Sequence, residues 1–239
     1  MKKYLPNSIT CLNLFSGCVG VVLAFQGKLE SAAYTIALAA LLDFLDGMLA
    51  RVLNAYSAMG KELDSLADMV SFGLLPSVII YQLFLQAPQP EAWSPWLNFS
   101  AFLIAIFSAL RLAKFNIDTR QSENFIGLTT TANALLVASL PLILSSHSNL
   151  CWTACILNPY FLILFSLGMG LLLVSELPLL SLKFKNLNLK SNLLRYILIL
   201  ASITLLLVFK FTAVPMIVIL YILLSVISFR FTRNASAKN

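Results

Sequence analysis

The sequence predicts an all-α integral membrane protein, a bundle of about eight transmembrane helices that forms a single domain over residues 1–239 with both termini in the cytoplasm. Composition is the first reason. Of the 239 residues, 59% are hydrophobic and 11% are charged, and the mean hydropathy is +0.88. Soluble domains carry about 25% charged residues. A soluble globular domain and an intrinsically disordered chain are therefore excluded.

The second reason is the number of long apolar runs. A membrane-spanning helix needs about 20 mostly apolar residues, and eight runs come close to that length. They occupy residues 8–26, 31–50, 66–86, 97–114, 127–146, 156–176, 193–210 and 212–230. Only Lys210 and a short turn separate the last two runs.

The third reason is the distribution of basic residues between the runs. With the N-terminus inside, only Lys28 and Lys210 of the 16 lysines and arginines fall in outer segments. Such an excess in cytoplasmic segments follows the positive-inside rule and places both termini in the cytoplasm. The basic residues occur singly or in pairs, so the net charge of +6 indicates topology and not nucleic-acid binding.

The informative polar residues are acids at the ends of the second and third runs. Asp43 and Asp46 are three residues apart, and Asp64 and Asp68 are four apart, so each pair shares a helix face. A charged side chain near the bilayer centre costs about 2.5–3.5 kcal/mol, and such residues usually have a function. A short cytoplasmic turn joins the two helices. We therefore expect them to be antiparallel neighbours whose aspartates face each other.

Four converging carboxylates need positive charge to compensate them. Two divalent cations would supply it, and all-oxygen ligands favour Mg²⁺ or Mn²⁺. Arg51, one turn beyond Gly47, is placed to bind an anion that the same metals hold, which indicates a diphosphate site. The alternative is a set of hydrogen bonds between protonated acids, or ion pairs with Arg51 and Lys61. Four acids against two bases would then leave surplus negative charge.

This pattern resembles the signature of the CDP-alcohol phosphatidyltransferase family. The matching residues are Asp43-x-x-Asp46-Gly47-x-x-Ala50-Arg51, then Gly60-x-x-x-Asp64-x-x-x-Asp68. Further segments are similar to the phosphatidylserine synthase branch of that family. They are Pro6-Asn7-x-x-Thr10-x-x-Asn13, residues 64–73 with Pro76, residues 110–116, Glu176-x-Pro178 and residues 181–185.

The resemblance implies a reaction of CDP-diacylglycerol with L-serine that yields phosphatidylserine and CMP. The enzyme would lie in the cytoplasmic membrane with its active site at the cytoplasmic face, as a homodimer and without a nucleic-acid partner. Asp43, Asp46, Asp64 and Asp68 would ligate two ions, Mg²⁺ or Mn²⁺, and Asp68 would also be the general base for the serine hydroxyl. The residues expected to bind CDP-diacylglycerol are Pro6, Asn7, Thr10, Gly47, Ala50, Arg51, Ser57 and Gly60.

The serine carboxylate requires a fixed cation at the same face. We expect Arg111 to supply it, with Lys114 and Asn116 as helpers. The chain departs from the branch at two places. Lys114 stands where arginine is common, and Thr129 follows Gly127-Leu128 where proline is common. We expect the second change to affect a helix start and not the chemistry.

Two alternatives stay open. The same apparatus could use glycerol 3-phosphate or an inositol phosphate as the acceptor, although a phosphate would call for a denser basic pocket. A cation transporter could also carry membrane-embedded aspartates. Transporters often place such residues in two structural repeats, whereas here all four aspartates lie within residues 43–68 and the second half has no matching acids.

Overall fold

The computed structural model describes residues 4–117, 125–146, 150–179 and 192–236; the branch-like segment 181–185 lies outside these residues. The first part is helical throughout. It comprises α1 (Tyr4–Phe25), α2 (Leu29–Val52), α3 (Ala58–Asp68), a π-helical segment (Met69–Leu74), α4 (Leu75–Gln86), a 3₁₀ helix (Pro95–Phe102) and α5 (Leu103–Ile117).

The second part adds five helices and a minimal strand pair. It comprises β1 (Phe125–Ile126), α6 (Thr130–Ser146), α7 (Leu150–Ile156), α8 (Pro159–Val174), β2 (Pro178–Leu179), α9 (Leu193–Phe209), a 3₁₀ turn (Lys210–Thr212) and α10 (Ala213–Ser236). The two strands pair in antiparallel fashion, with Phe125 opposite Leu179 and Ile126 opposite Pro178.

The prediction of an all-α membrane protein is confirmed, because each of the eight apolar runs coincides with a helical segment. Five described segments are long and apolar enough to cross a membrane. They are Tyr4–Phe25, Leu29–Val52, Ala58–Gln86, Pro95–Ile117 and Leu193–Ile227, the last of which joins α9 to α10. The apolar helices α6 and α8 are shorter, at 17 and 16 residues. The number of eight crossings therefore stays a prediction.

Helix α1 is the packing partner of α2, α3 and α4, and two glycines permit this close approach. A methyl group at Gly17 would lie 2.9 Å from Ser71 Cα, and one at Gly20 would lie 2.5 Å from Leu75 Cδ2. Both distances are too short for a real side chain, so small residues let the helix backbones meet. The core around α4 contains fully buried Phe72, Leu75, Ile79, Leu83 and Phe84.

The helices of the second and third runs are neighbours, as expected. Helix α2 packs against the π-helical segment and α4, whereas α3 packs against α1. The π-helical segment begins directly after Asp68, and single turns of this kind are frequent at functional sites. Carboxylate oxygens of Asp43 on α2 and of Asp64 and Asp68 on α3 lie within 4.8 Å of one another, so aspartates of the two pairs face each other.

The start of α6 is fixed by contacts with the end of α8. The Gly127 N–H donates to Leu177 O at 2.9 Å, and the Leu128 N–H donates to Leu172 O at 3.1 Å. Gly127 has a φ of +75°, and a methyl group there would lie 2.7 Å from Leu173 O. Glycine is needed at this position for both reasons.

Candidate active site

A cavity of about 710 Å³ opens at one end of the bundle. Helices α1, α3 and α6 begin there, and α2 and α5 end there. Every site residue predicted from the sequence lines this cavity except Lys114. Residues that lie far apart in the chain are thus brought to one cavity between the helices.

Three of the four predicted ligands converge in the cavity. Carboxylate oxygens of Asp43, Asp64 and Asp68 lie within 4.8 Å of one another, and all three side chains are half-buried. Within the described residues, no lysine or arginine forms an ion pair with them. Clustered carboxylates without a basic partner repel one another. Their oxygen donors fit a hard divalent cation such as Mg²⁺ or Mn²⁺.

Asp46 lies beside this cluster and is held by α1. The Thr10 hydroxyl donates to Asp46 Oδ2 at 2.6 Å, and the Asp46 side chain is only 5% exposed. Asp46 lines the same cavity but does not belong to the group of three. Its role as a metal ligand stays a prediction, as do the roles of the other three.

Asn13 closes the motif Pro6-Asn7-x-x-Thr10-x-x-Asn13 and has no role predicted from the sequence. The structure places it against Asp68. Its Nδ2 donates to Asp68 Oδ1 at 3.5 Å, and the Ser71 hydroxyl donates to Asn13 O at 3.0 Å. Asn13 is fully buried. Its spacing of three from Thr10 is the signal that could have identified it, because it puts both residues on one face of α1.

Two glycines of the motif have different surroundings. A methyl group at Gly47 would meet only Arg51 Nη2, at the ordinary distance of 3.6 Å, whereas one at Gly60 would lie 3.0 Å from both Asn7 Oδ1 and Ser57 Oγ. A methyl group at Gly60 would therefore have to displace these two side-chain oxygens slightly, whereas one at Gly47 would displace nothing. The space at Gly47 belongs to the cavity.

Arg51 and Ser57 sit at the ends of their helices. The Arg51 Nε–H donates to Gly47 O at 2.9 Å, and the Arg51 side chain is exposed. Ser57 is the N-cap of α3, with its Oγ accepting from the Gly60 N–H at 3.0 Å. Such caps stabilise a helix start by about 1 kcal/mol. Ser57 therefore has a structural role besides any contact with a ligand.

The three residues predicted to bind serine have separate surroundings. Arg111 is 8% exposed and lines the cavity, and its Nε has no hydrogen-bond partner among the described residues. Lys114 lies outside the lining and forms an ion pair with Glu176 at 3.2 Å. Asn116 lines the cavity, but its Nδ2 donates to Ser65 Oγ at 3.0 Å and so joins α5 to α3.

The cavity lining also contains residues that are not among the predicted site residues. Lys61 lines the cavity, and its Nζ donates to Asn116 O at 2.9 Å. Thr129, Thr130 and Thr131 line it from the start of α6. No spacing pattern relates these threonines to the aspartates, because only the tertiary fold brings α6 to the cavity.

Comparison with known proteins gives a consistent result. The relatives include proteins named CDP-diacylglycerol–serine O-phosphatidyltransferase. The one from Helicobacter pylori is 31% identical over 234 residues, covering 95% of this chain and 91% of the relative. The one from Bacillus subtilis is 34% identical over 176 residues, covering 73% of this chain and 89% of the relative.

A third relative of the same name, from Mycobacterium leprae, is 35% identical over 184 residues and 74% of this chain. The match spans only 58% of that relative's length. The family model for CDP-alcohol phosphatidyltransferase matches residues 3–173, a stretch that contains all four aspartates and Arg111. On this match and on the shared aspartate motif, the chain belongs to the CDP-alcohol phosphatidyltransferase family.

Proposed function

We propose that the protein is a phosphatidylserine synthase, which transfers the phosphatidyl group of CDP-diacylglycerol to the hydroxyl of L-serine and releases CMP. The observation that carries the proposal is the convergence of Asp43, Asp64 and Asp68 in a cavity that also holds the buried Arg111. Relatives 31–35% identical to this chain have the corresponding name.

In this proposal Asp43, Asp46, Asp64 and Asp68 hold two divalent ions, Mg²⁺ or Mn²⁺. When bound, such ions neutralise the diphosphate and stabilise charge on the departing phosphate of CMP. The Thr10 hydroxyl restrains the Asp46 carboxylate, and the Asn13 amide restrains that of Asp68. Preorganised ligands of this kind do not have to move during the reaction.

CDP-diacylglycerol occupies the side of the cavity formed by α1, α2 and α3. The open space at Gly47 admits the nucleotide close to the α2 backbone, and Arg51 and Ser57 contact the phosphates. Pro6, Asn7, Thr10, Ala50 and Gly60 complete this side. The Arg51 side chain is exposed, and its Nε–H is engaged by Gly47 O, so its two Nη groups supply the donors for a phosphate, to which a planar guanidinium is well suited.

Asp68 is the proposed general base. It takes the proton of the serine hydroxyl as the serine oxygen bonds to the phosphorus of the phosphatidyl group. The bond from that phosphorus to the bridging oxygen then breaks, and CMP leaves with the electron pair. A carboxylate within hydrogen-bond reach can perform this step, and Asn13 engages only Oδ1 of Asp68.

Arg111 is the proposed partner of the serine carboxylate. Lys114 is occupied by Glu176, and the Asn116 side chain is occupied by Ser65, so we assign the anion to Arg111. The described lysines and arginines that line the cavity are Arg51, Lys61 and Arg111. This modest set suits an acceptor with one carboxylate better than one with a phosphate.

We also propose that the chain crosses the cytoplasmic membrane eight times with both termini inside, and that it forms a homodimer, as the family resemblance implies. The cavity end of the bundle would then face the cytoplasm. Serine would enter from the water, and CDP-diacylglycerol would enter sideways from the inner leaflet.

The test is CMP release by the purified full-length protein in detergent, with CDP-diacylglycerol, a divalent cation and one acceptor at a time. We expect release with L-serine and none above background with glycerol 3-phosphate or an inositol phosphate. Release with one of the other alcohols and not serine would overturn the choice of acceptor. If the folded protein releases no CMP with any acceptor, the proposal that it is an enzyme is wrong, and a cation transporter is favoured.

A further inference from the structure

The start of α6 contributes three consecutive threonines to the cavity, Thr129, Thr130 and Thr131. Thr130 is only 2% exposed even though it lines the cavity. From the sequence we expected this departure from the branch to affect a helix start alone. In the structure, these residues at the helix start also line the proposed active site.

Among the described residues, the local geometry leaves backbone donors without a partner at this wall. Thr129 is the N-cap of α6, because its Oγ1 accepts from the Ala132 N–H at 3.2 Å and its carbonyl accepts from the Asn133 N–H at 3.0 Å. The next two amides, of Thr130 and Thr131, have no partner within the helix. A helix N-terminus carries partial positive charge and binds anions. The bonds of Gly127 and Leu128 to the end of α8 hold this turn in place.

A second, independent observation also indicates an anion site: the burial and hydrogen bonding of Arg111. Its side chain is more than nine-tenths buried, it lines the same cavity, and its Nε lacks a partner among the described residues. A buried guanidinium nitrogen without a hydrogen-bond partner is costly. An anion that enters the cavity is the partner that the guanidinium fits.

Arg111 and the α6 start are also linked through α10. Tyr221 lies within electrostatic range of Arg111 and packs on the apolar cluster that contains Leu128, the residue before Thr129. Asp68, the proposed general base, lies within electrostatic range of Arg111 as well. An acceptor bound to Arg111 would therefore lie near the proposed general base.

We propose that the carboxylate of the amino-acid acceptor binds between the Arg111 guanidinium and the first turn of α6, where it accepts hydrogen bonds from the amides and hydroxyls of Thr130 and Thr131. This inference rests on the proposed function and deepens it, since it names the acceptor subsite. It makes the carboxylate, and not the amino group, the feature by which an acceptor is selected.

The test uses Thr130→Pro in the full-length protein. Proline is favoured at the first position of a helix, so the change removes the amide donor and the hydroxyl while α6 keeps its start. Thr204→Ala is the matched control, because Thr204 lies on the exposed side of α9 and bonds only to Leu200 O among the described residues. Loss of a hydrogen bond to a charged group corresponds to about a tenfold change in affinity.

We expect Thr130→Pro to raise the KM for serine about tenfold and to leave the KM for CDP-diacylglycerol within about twofold, with Thr204→Ala unchanged. An unchanged serine KM, or an equal rise in both KM values, would overturn the subsite. If Thr130→Pro does not fold, the double variant Thr130→Ala/Thr131→Ala replaces it. A severalfold rise confined to serine is then expected, and no rise would overturn the subsite.

Inhibition of the wild-type protein adds a test without mutation. 3-Hydroxypropionate, which keeps the carboxylate and lacks the amine, should compete with serine, and serine methyl ester should compete far less. Equal competition by the two compounds would overturn carboxylate selection. Wild-type protein without serine-dependent CMP release would instead refute the proposed function, so the two failures are distinguishable.

Discussion

The two walls of the cavity are built in different ways. The donor wall consists of the lining residues of α1, α2 and α3, and all of them lie within residues 6–68. The acceptor wall consists of Arg111 and Asn116 of α5 and Thr129–Thr131 of α6. The aspartates of the donor wall are arranged by helical spacing within two short segments, whereas the acceptor wall depends on how α5, α6, α8 and α10 pack together.

This difference separates the proposed chemistry from the proposed choice of acceptor. The carboxylates belong to the donor wall, so any alcohol that reaches them could in principle react. The buried cation and the α6 turn belong to the acceptor wall. Variants in the donor wall should therefore affect turnover or the nucleotide, and variants in the acceptor wall should affect the acceptor alone.

The largest effect, a loss of turnover, is expected on substitution of Asp68. Asp68→Asn keeps the size of the side chain and removes the base, so turnover should fall about 10³-fold, within the usual range for a general base. Binding of CDP-diacylglycerol should be largely retained. Steady-state CMP release and a separate binding measurement check the two statements. The matched control is Glu91→Gln, an exposed acid outside the cavity. Normal turnover in Asp68→Asn would rule out its role as base.

The second-largest effect is a rise in the KM for serine on substitution of Arg111. It would test whether the donor wall and the acceptor wall act separately. Arg111→Ala removes the buried cation of the acceptor wall, so the KM for serine should rise about 10²-fold, as for the loss of a strong charge-assisted interaction. The KM for CDP-diacylglycerol should change far less. The matched control is Lys210→Ala, because Lys210 does not line the cavity. Equal effects of Arg111→Ala on both substrates would contradict a separate acceptor wall.

The smallest effects are expected on substitution of the two glycines of the donor wall. One substitution should weaken substrate binding, and the other should lower stability. Gly47→Ala meets no close neighbour, so the melting temperature should hold or rise, while the KM for CDP-diacylglycerol should rise severalfold. Gly60→Ala pushes against Asn7 and Ser57 at 3.0 Å, so the melting temperature should fall by a few degrees, as for about 1 kcal/mol. Thermal unfolding and substrate titration of both variants would show whether the space at Gly47 serves a ligand. An unchanged KM in Gly47→Ala would argue that it does not.

Much of the donor wall could be predicted because its information is local. Spacings of three and four residues on apolar helices place Asp43, Asp64 and Asp68 on defined faces, and the structure brings these three together. The bond from Thr10 to Asp46 could not be predicted, because it depends on how α1 lies against α2. The same holds for the packing of α3 against α1.

The acceptor wall could be predicted only in part. A buried arginine near an expected anion is a reasonable inference from the sequence, and Arg111 lines the cavity. Lys114 lies one turn further along α5 and pairs with Glu176, a partner 62 residues away that no local pattern connects to it. The threonines of α6 reach the cavity through the backbone contacts of Gly127 and Leu128, which are tertiary in origin.

The most direct test of the central claim asks whether CMP release requires both a divalent metal ion and serine. Metal-stripped, purified protein in detergent is given CDP-diacylglycerol, and CMP is measured with Mg²⁺ or Mn²⁺ and with L-serine, each present or absent. The account predicts CMP and phosphatidylserine in equal amounts only when both are present. CMP release without a divalent cation, or at the same rate without serine, would contradict it.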